Sequence, residues 1–132
     1  MTFRTIAVLA TVCALPLTGC TAEMDRDRDV RAPAAVAVGP AVDCVDTSRI
    51  DTTKAHDDYT IDFKMIDNTV YRNTLSNRCS GLGFEDRFAY ETSIGRLCSI
   101  DTITVLYSSG GRGATCGLGI SFRSVTPTES RR

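Results

Sequence analysis

Apolar and polar residues alternate most clearly between positions 59 and 75. Ile61, Phe63 and Met65 are separated by Asp62 and Lys64, the period of two that marks a half-buried strand. Asp67 and Asn68 follow, residues that tolerate turn geometry, and 70–75 returns as the partner strand. We expect a hairpin with Met65 opposite Tyr71, Phe63 opposite Asn73 and Ile61 opposite Leu75. That register sets one amide, Asn73, on the apolar face, where backbone groups must satisfy it; a tighter two-residue turn would move these partners to the other face. Weaker alternation predicts strands near 49–52, 87–92 and 102–107. Phe84 precedes Phe88 and Tyr90 in the same alternation, and Leu118, Ile120 and Phe122 predict a last strand. No segment carries a helical repeat. The pattern therefore predicts an all-β fold, a small antiparallel barrel or sandwich of five to six short strands joined by glycine turns.

Ahead of these strands lies a different pattern. Residues 6–17 are almost wholly apolar and follow Arg4, a run too short to span a bilayer and of secretory signal length. It ends in Leu17-Thr18-Gly19-Cys20, which resembles the lipobox of bacterial lipoprotein signal peptides. The resemblance implies cleavage before Cys20 and acylation of that cysteine, with residues 1–19, Cys13 among them, removed. Each acyl methylene buried contributes about 0.8 kcal/mol, so several chains on one residue hold a protein firmly to a membrane. Thr21 and Ala22 follow, without the aspartate that favours inner-membrane retention. The expected location is thus the periplasmic face of the outer membrane of a Gram-negative bacterium.

Residues 23–31 alternate acid and base with little to bury, and 32–42 are alanine- and valine-rich with Pro33, Gly39 and Pro40. Together, 20–42 read as a lipidated cysteine and a hydrated tether. The folded domain is expected over 43–125, with 126–132 a polar tail. A domain of about 80 residues has a modest core and often needs covalent staples. Cys44, Cys79, Cys98 and Cys116 supply an even set in an exported chain, and they lack the C-x-x-C and His spacing of a zinc site. Two disulfides are expected, each contributing roughly 3 kcal/mol. Three connectivities remain open, and we favour Cys79–Cys98 with Cys44–Cys116.

The near-neutral balance of charge, −1 over 132 residues, offers no footprint for nucleic acid. His56, the single histidine, sits beside Asp57 and Asp58 as a general base would, but no nucleophile motif accompanies it; an exposed loop position is the expectation. Asp43, Asp46, Asp51, Asp57 and Asp58 form no calcium-loop pattern, so no metal and no cofactor are expected. The glycines between 110 and 119 lack a phosphate-loop ending and read as a turn beside a disulfide. Arg72, Arg78, Arg87, Arg96 and Arg112 outnumber Lys54 and Lys64 in the domain. Arginine forks suit anionic partners, but scattered surface arginines paired with Asp62, Glu85, Asp86 or Asp101 are the expectation.

Cys44, Thr60-Ile61, the run from Val70 through Leu75, Arg78-Cys79, Arg96-Leu97-Cys98, Asp101-Thr102-Ile103 and Cys116-Gly117-Leu118-Gly119 together resemble a domain-of-unknown-function family. Its members are small, cysteine-containing bacterial lipoproteins. The resemblance spans 43–122, implies export and lipidation, and carries no catalytic residue. The functional expectation is a non-enzymatic, membrane-anchored module that binds an envelope protein or glycan, or that tethers envelope layers. In one version it resembles the lipoprotein inhibitors of lysozyme-type enzymes, with loop 108–113, carrying Ser108 and Arg112, as the partner-binding loop. The competing expectation is a small hydrolase of envelope polymers using two of Asp58, Glu85 and Asp101.

Overall fold

The computed structural model describes residues 31–92 and 94–128. The signal segment, Cys20 and residues 129–132 lie outside the described residues. Among the described residues are ten strands, a 3-10 turn (Thr47–Arg49) and one α-helical turn, in the order β1 (Ala35–Val42), β2 (Cys44–Asp46), the 3-10 turn, β3 (Ile50–Ala55), β4 (Thr60–Met65), β5 (Val70–Thr74), α1 (Leu82–Glu85), β6 (Phe88–Tyr90), β7 (Arg96–Cys98), β8 (Thr102–Leu106), β9 (Arg112–Gly117) and β10 (Phe122–Pro127). Every pairing is antiparallel. The sheets run β1-β10-β5-β4-β3, β6-β8-β9 and β2-β7. The fold is all-β, as the alternation predicts. It has more strands than expected: β2 and β7 are three residues each, too short to display a period, and β1 and β9 fall in stretches whose composition reads as tether and glycine turn.

The five-stranded and three-stranded sheets share one core. Phe63 of β4 meets Phe122 of β10 edge-to-face at 5.5 Å and Phe88 of β6 at 6.2 Å, geometries that favour the ring quadrupoles. Ile61, Leu75, Leu82, Leu97, Ile103 and Val105 fill the space around them, all fully buried.

Four expectations need correction. The stretch 35–42, read as tether, is β1, with Ala37 opposite Val125 and Val42 opposite Phe122. Its alanines and valines suit strand geometry, and Gly39 and Pro40 fall where the register shifts between Ala37 and Ala41, a bulge that tolerates both. The domain accordingly extends beyond 43–125 at both ends. The β4–β5 hairpin is shifted by two residues from the expected register, with Phe63 opposite Tyr71 and Ile61 opposite Asn73. The cause is the turn: Asn68 takes φ 65° and donates to the Met65 carbonyl, while Met65 donates to Thr69. A two-residue shift preserves the faces, so Asn73 is still buried in the core.

The disulfides are Cys44–Cys98 and Cys79–Cys116. Strand pairing decides this: Cys44 on β2 stands directly opposite Cys98 on β7, with Cα atoms 4.0 Å apart. Cys79 then meets Cys116 of β9. Last, the strand expected through Leu118, Ile120 and Phe122 is broken: 118–121 is a loop between β9 and β10. Leu118 and Phe122 turn inward and Ile120 turns outward.

Candidate functional site

Of the expected site residues, Ser108 and Arg112 flank the tip of the β8–β9 hairpin. Gly110 and Gly111 take φ 92° and 104° there, a conformation that side-chain-bearing residues rarely adopt. Tyr107 donates from its backbone N–H to Gly111 and accepts from Gly110, closing the turn. The tip is held against α1. Ser108 donates its backbone N–H to Glu85 Oε2 at 2.8 Å, and the Tyr107 ring lies so close over Gly113 that a Cβ there would come within 2.8 Å of it.

Helix α1 brings to this end a residue that shares the alternation of Phe88 and Tyr90 but not their strand. Phe84 is 88% exposed. Gly83 sits so close to the Asp57 backbone that a Cβ would come within 2.6 Å of Asp57 Cα, and Gly83 N–H donates to Asp58 Oδ1. These contacts fix α1 against the 57–59 loop and leave Phe84 facing solvent. Glycines on both sides of Leu82 were the signal for a turn at this position. An open cleft of about 380 Å³ adjoins the ring, lined among others by Asp58, Tyr59, Arg78 and Gly81. Phe84, the half-exposed Tyr107, the glycine tip and Arg112 thus gather at one end of the molecule, on a frame braced by Cys79–Cys116.

The three candidate carboxylates are each occupied. Asp58 accepts from Arg78 Nε at 2.9 Å and from Gly83 N–H, Glu85 accepts from Ser108, and Asp101 accepts from the Cys98 N–H at 2.7 Å. They hold the ends of α1, the β8–β9 tip and β7, three separate structural tasks.

A second polar group lies on the outer face of the five-stranded sheet, and there the expectations of an exposed His56 and a surface Asp62 are both corrected. Arg72 grips Asp62 with Nε at 2.7 Å and Nη2 at 2.8 Å, and His56 Nε2 lies 2.8 Å from Asp62 Oδ2. Arg72 Nη1 also donates to the Pro33 carbonyl at 2.7 Å. Burial of Asp62 would raise its pKa, but the hydrogen bonds from Arg72 and His56 outweigh burial and hold it below the ordinary aspartate value. The Arg72 pKa is raised, chiefly by its hydrogen bonds to Asp62. Asp57, also buried, accepts from the backbone N–H of Arg31, Ala32 and Tyr59. Asp57 and Arg72 together clamp the chain just before β1. Among the described residues no three His, Cys, Asp or Glu side chains gather as metal ligands would. No helix among them is long and apolar enough to cross a membrane.

No family model, curated protein or solved structure matches this chain.

Proposed function

We propose that the chain is an exported, lipid-anchored binding module that presents the α1 and β8–β9 end of its β domain to a partner in the cell envelope. One observation carries this reading: Phe84, almost fully exposed, stands on a turn pinned by backbone contacts, beside the glycine tip and Arg112. A large apolar ring kept in water on a rigid support gains by being covered. Exposed aromatics and arginine are the residues that most often anchor interfaces. The lipid on Cys20 would supply the membrane attachment, and the charged residues 21–30 the spacer.

The test is chemical cross-linking of the mature, membrane-anchored protein in its own envelope, with captured species identified by mass spectrometry. The expected result is one stoichiometric partner that is lost from both the Phe84→Ala and Arg112→Glu variants while their melting temperatures stay unchanged. Capture that is indifferent to both substitutions rejects this end as the contact surface. Incorporation of labelled fatty acid, abolished by Cys20→Ser, tests the anchor separately.

A further inference from the structure

The two edges of the five-stranded sheet are treated differently. On β3 the edge carries Asp51 and Lys54. Asp86 closes over its end, accepting from the Ala55 N–H at 2.6 Å and pairing with Lys54. Charges and covering groups of this kind are how sheets prevent further pairing. Among the described residues, the β1 edge has neither over its first half. Ala35, Val36, Ala37 and Val38 carry no charge, and Val36 and Val38 are well exposed.

The phase of the ladder is fixed by Thr128, whose N–H donates to the Ala34 carbonyl at 2.7 Å. With Ala35 opposite Pro127 and Val36 opposite Thr126, Val36 bonds to β10. Ala35 and Ala37 turn their N–H and C=O groups outward, since antiparallel ladders alternate in this way. Beside this edge an open groove of about 340 Å³ runs across β1, β10 and β5. Ala35, Ala37 and Val125 give it an apolar lining, and Ile120 adds a highly exposed side chain. Its two cations differ. Arg72 is committed to Asp62 and Pro33, whereas Arg123 is exposed and has no ion-pair partner among the described residues.

We infer that the β1 edge is a strand-addition site for an extended segment of a partner polypeptide, with a carboxylate side chain directed to Arg123. Outward-facing backbone groups call for an extended backbone. In an added strand, alternate side chains fall on the two faces: apolar ones beside Val36 and Val38, and others over the groove, where the charge calls for an acid. A second copy of this chain fits less well, because β1 contains no acidic residue to offer Arg123. The inference is independent of the α1 end.

The test is panning of a phage-displayed random heptapeptide library against the full mature chain. Enriched peptides are expected to alternate apolar residues and to contain Asp or Glu. Their affinity should fall about tenfold or more with Ala37→Pro and with Arg123→Glu, and stay unchanged with Phe84→Ala. Ala37→Pro removes only an outward-facing N–H, which an edge strand tolerates. Should that variant fail to fold, Arg123→Glu alone decides. No enrichment, or peptides indifferent to both substitutions, overturns the inference. So does concentration-dependent self-association in sedimentation that Ala37→Pro abolishes, since a second copy would then occupy the edge.

Discussion

Asn73 and Gly119 hold each other by a reciprocal pair of hydrogen bonds. The Gly119 N–H donates to Asn73 Oδ1 at 2.8 Å, and Asn73 Nδ2 donates back to the Gly119 carbonyl at 3.2 Å and to that of Ser121 at 3.0 Å. The amide is fully buried in β5, so it is the pin that fastens the 118–121 loop to the core. Asn73→Ala leaves buried backbone groups without partners, each a loss of about 1–3 kcal/mol. Urea unfolding should therefore show a loss of about 3 kcal/mol or more. A smaller loss, below about 1 kcal/mol, would mean that water replaces the amide and that the loop is not held by it.

Gly119 is the other half of that pin, and its requirement is steric. A Cβ there would lie 1.8 Å from the Thr74 carbonyl oxygen, whereas one on Gly117 would meet nothing within 4 Å. Gly119→Ala must push the loop off β5 and break the Asn73 pair, so it should destabilise the fold where Gly117→Ala does not. The latter restricts the unfolded chain and should be neutral or stabilising by up to about 1 kcal/mol. Equal midpoints in parallel urea titrations would contradict the close approach.

How far such features are legible in the sequence depends on the range of the contact. The alternation of Ile61, Phe63 and Met65 announces β4, and a lone amide among apolar neighbours announces Asn73, because both are local patterns. Asp62 gives no such notice. Its polarity reads as a solvated face, yet Arg72 of β5 and His56 before β4 close over it from elements placed by the hairpin turn. Strand β1 is hidden for a different reason: an alanine-rich run with Gly39 and Pro40 has the composition of a linker, and only the open side of β10 makes it a strand. Phe84 fits the period of its neighbours, and the glycines around Leu82 override that period. Disulfide pairing follows from which strands lie side by side, a property of topology rather than spacing.

The buried Asp62–Arg72 pair makes stability depend on acid. Because the folded pKa of Asp62 lies below its ordinary value, its contribution is fully present above the unfolded value of about 3.9. It fades as pH falls through the folded value. Asp62→Asn should lower the melting temperature at pH 7 and flatten its decline on acidification. Arg72→Ala should cost more, about 3 kcal/mol, because the buried carboxylate keeps the His56 contact but loses its guanidinium partner. Adding Asp62→Asn to Arg72→Ala should then restore part of that loss. A double variant as unstable as the sum of the single ones would show that the two side chains act independently.

Both disulfides span long stretches, 54 and 37 residues, so each should restrict the unfolded chain by about 4 kcal/mol in the chain-entropy estimate. Their loops interleave, because Cys79 lies between Cys44 and Cys98, so the two contributions are not expected to add. Non-reducing peptide mapping should recover Cys44 with Cys98 and Cys79 with Cys116. Replacing Cys79 and Cys116 by alanine should be the more damaging change, since Cys79 is fully buried beside Leu82 in the core and its loss adds a cavity to the lost cross-link. Similar urea midpoints for the two double variants would indicate that the cross-links alone matter.

The place where folding begins along the chain offers the sharpest contrast. A chain starting at Asp43 lacks β1, removes Val42 from against the core cluster and leaves β10 as a bare edge. It also strips Asp57 of two of its three N–H donors, Arg31 and Ala32, and Arg72 of the Pro33 carbonyl. A chain starting at Arg31 keeps all of these. The shorter chain should therefore unfold at distinctly lower urea concentration and associate in size-exclusion chromatography through the uncovered edge of β10. The longer chain should remain monomeric at the same concentration, provided no second copy adds to β1. If the two chains unfold at the same midpoint, residues 31–42 are a spacer after all, and β1 contributes nothing to the fold.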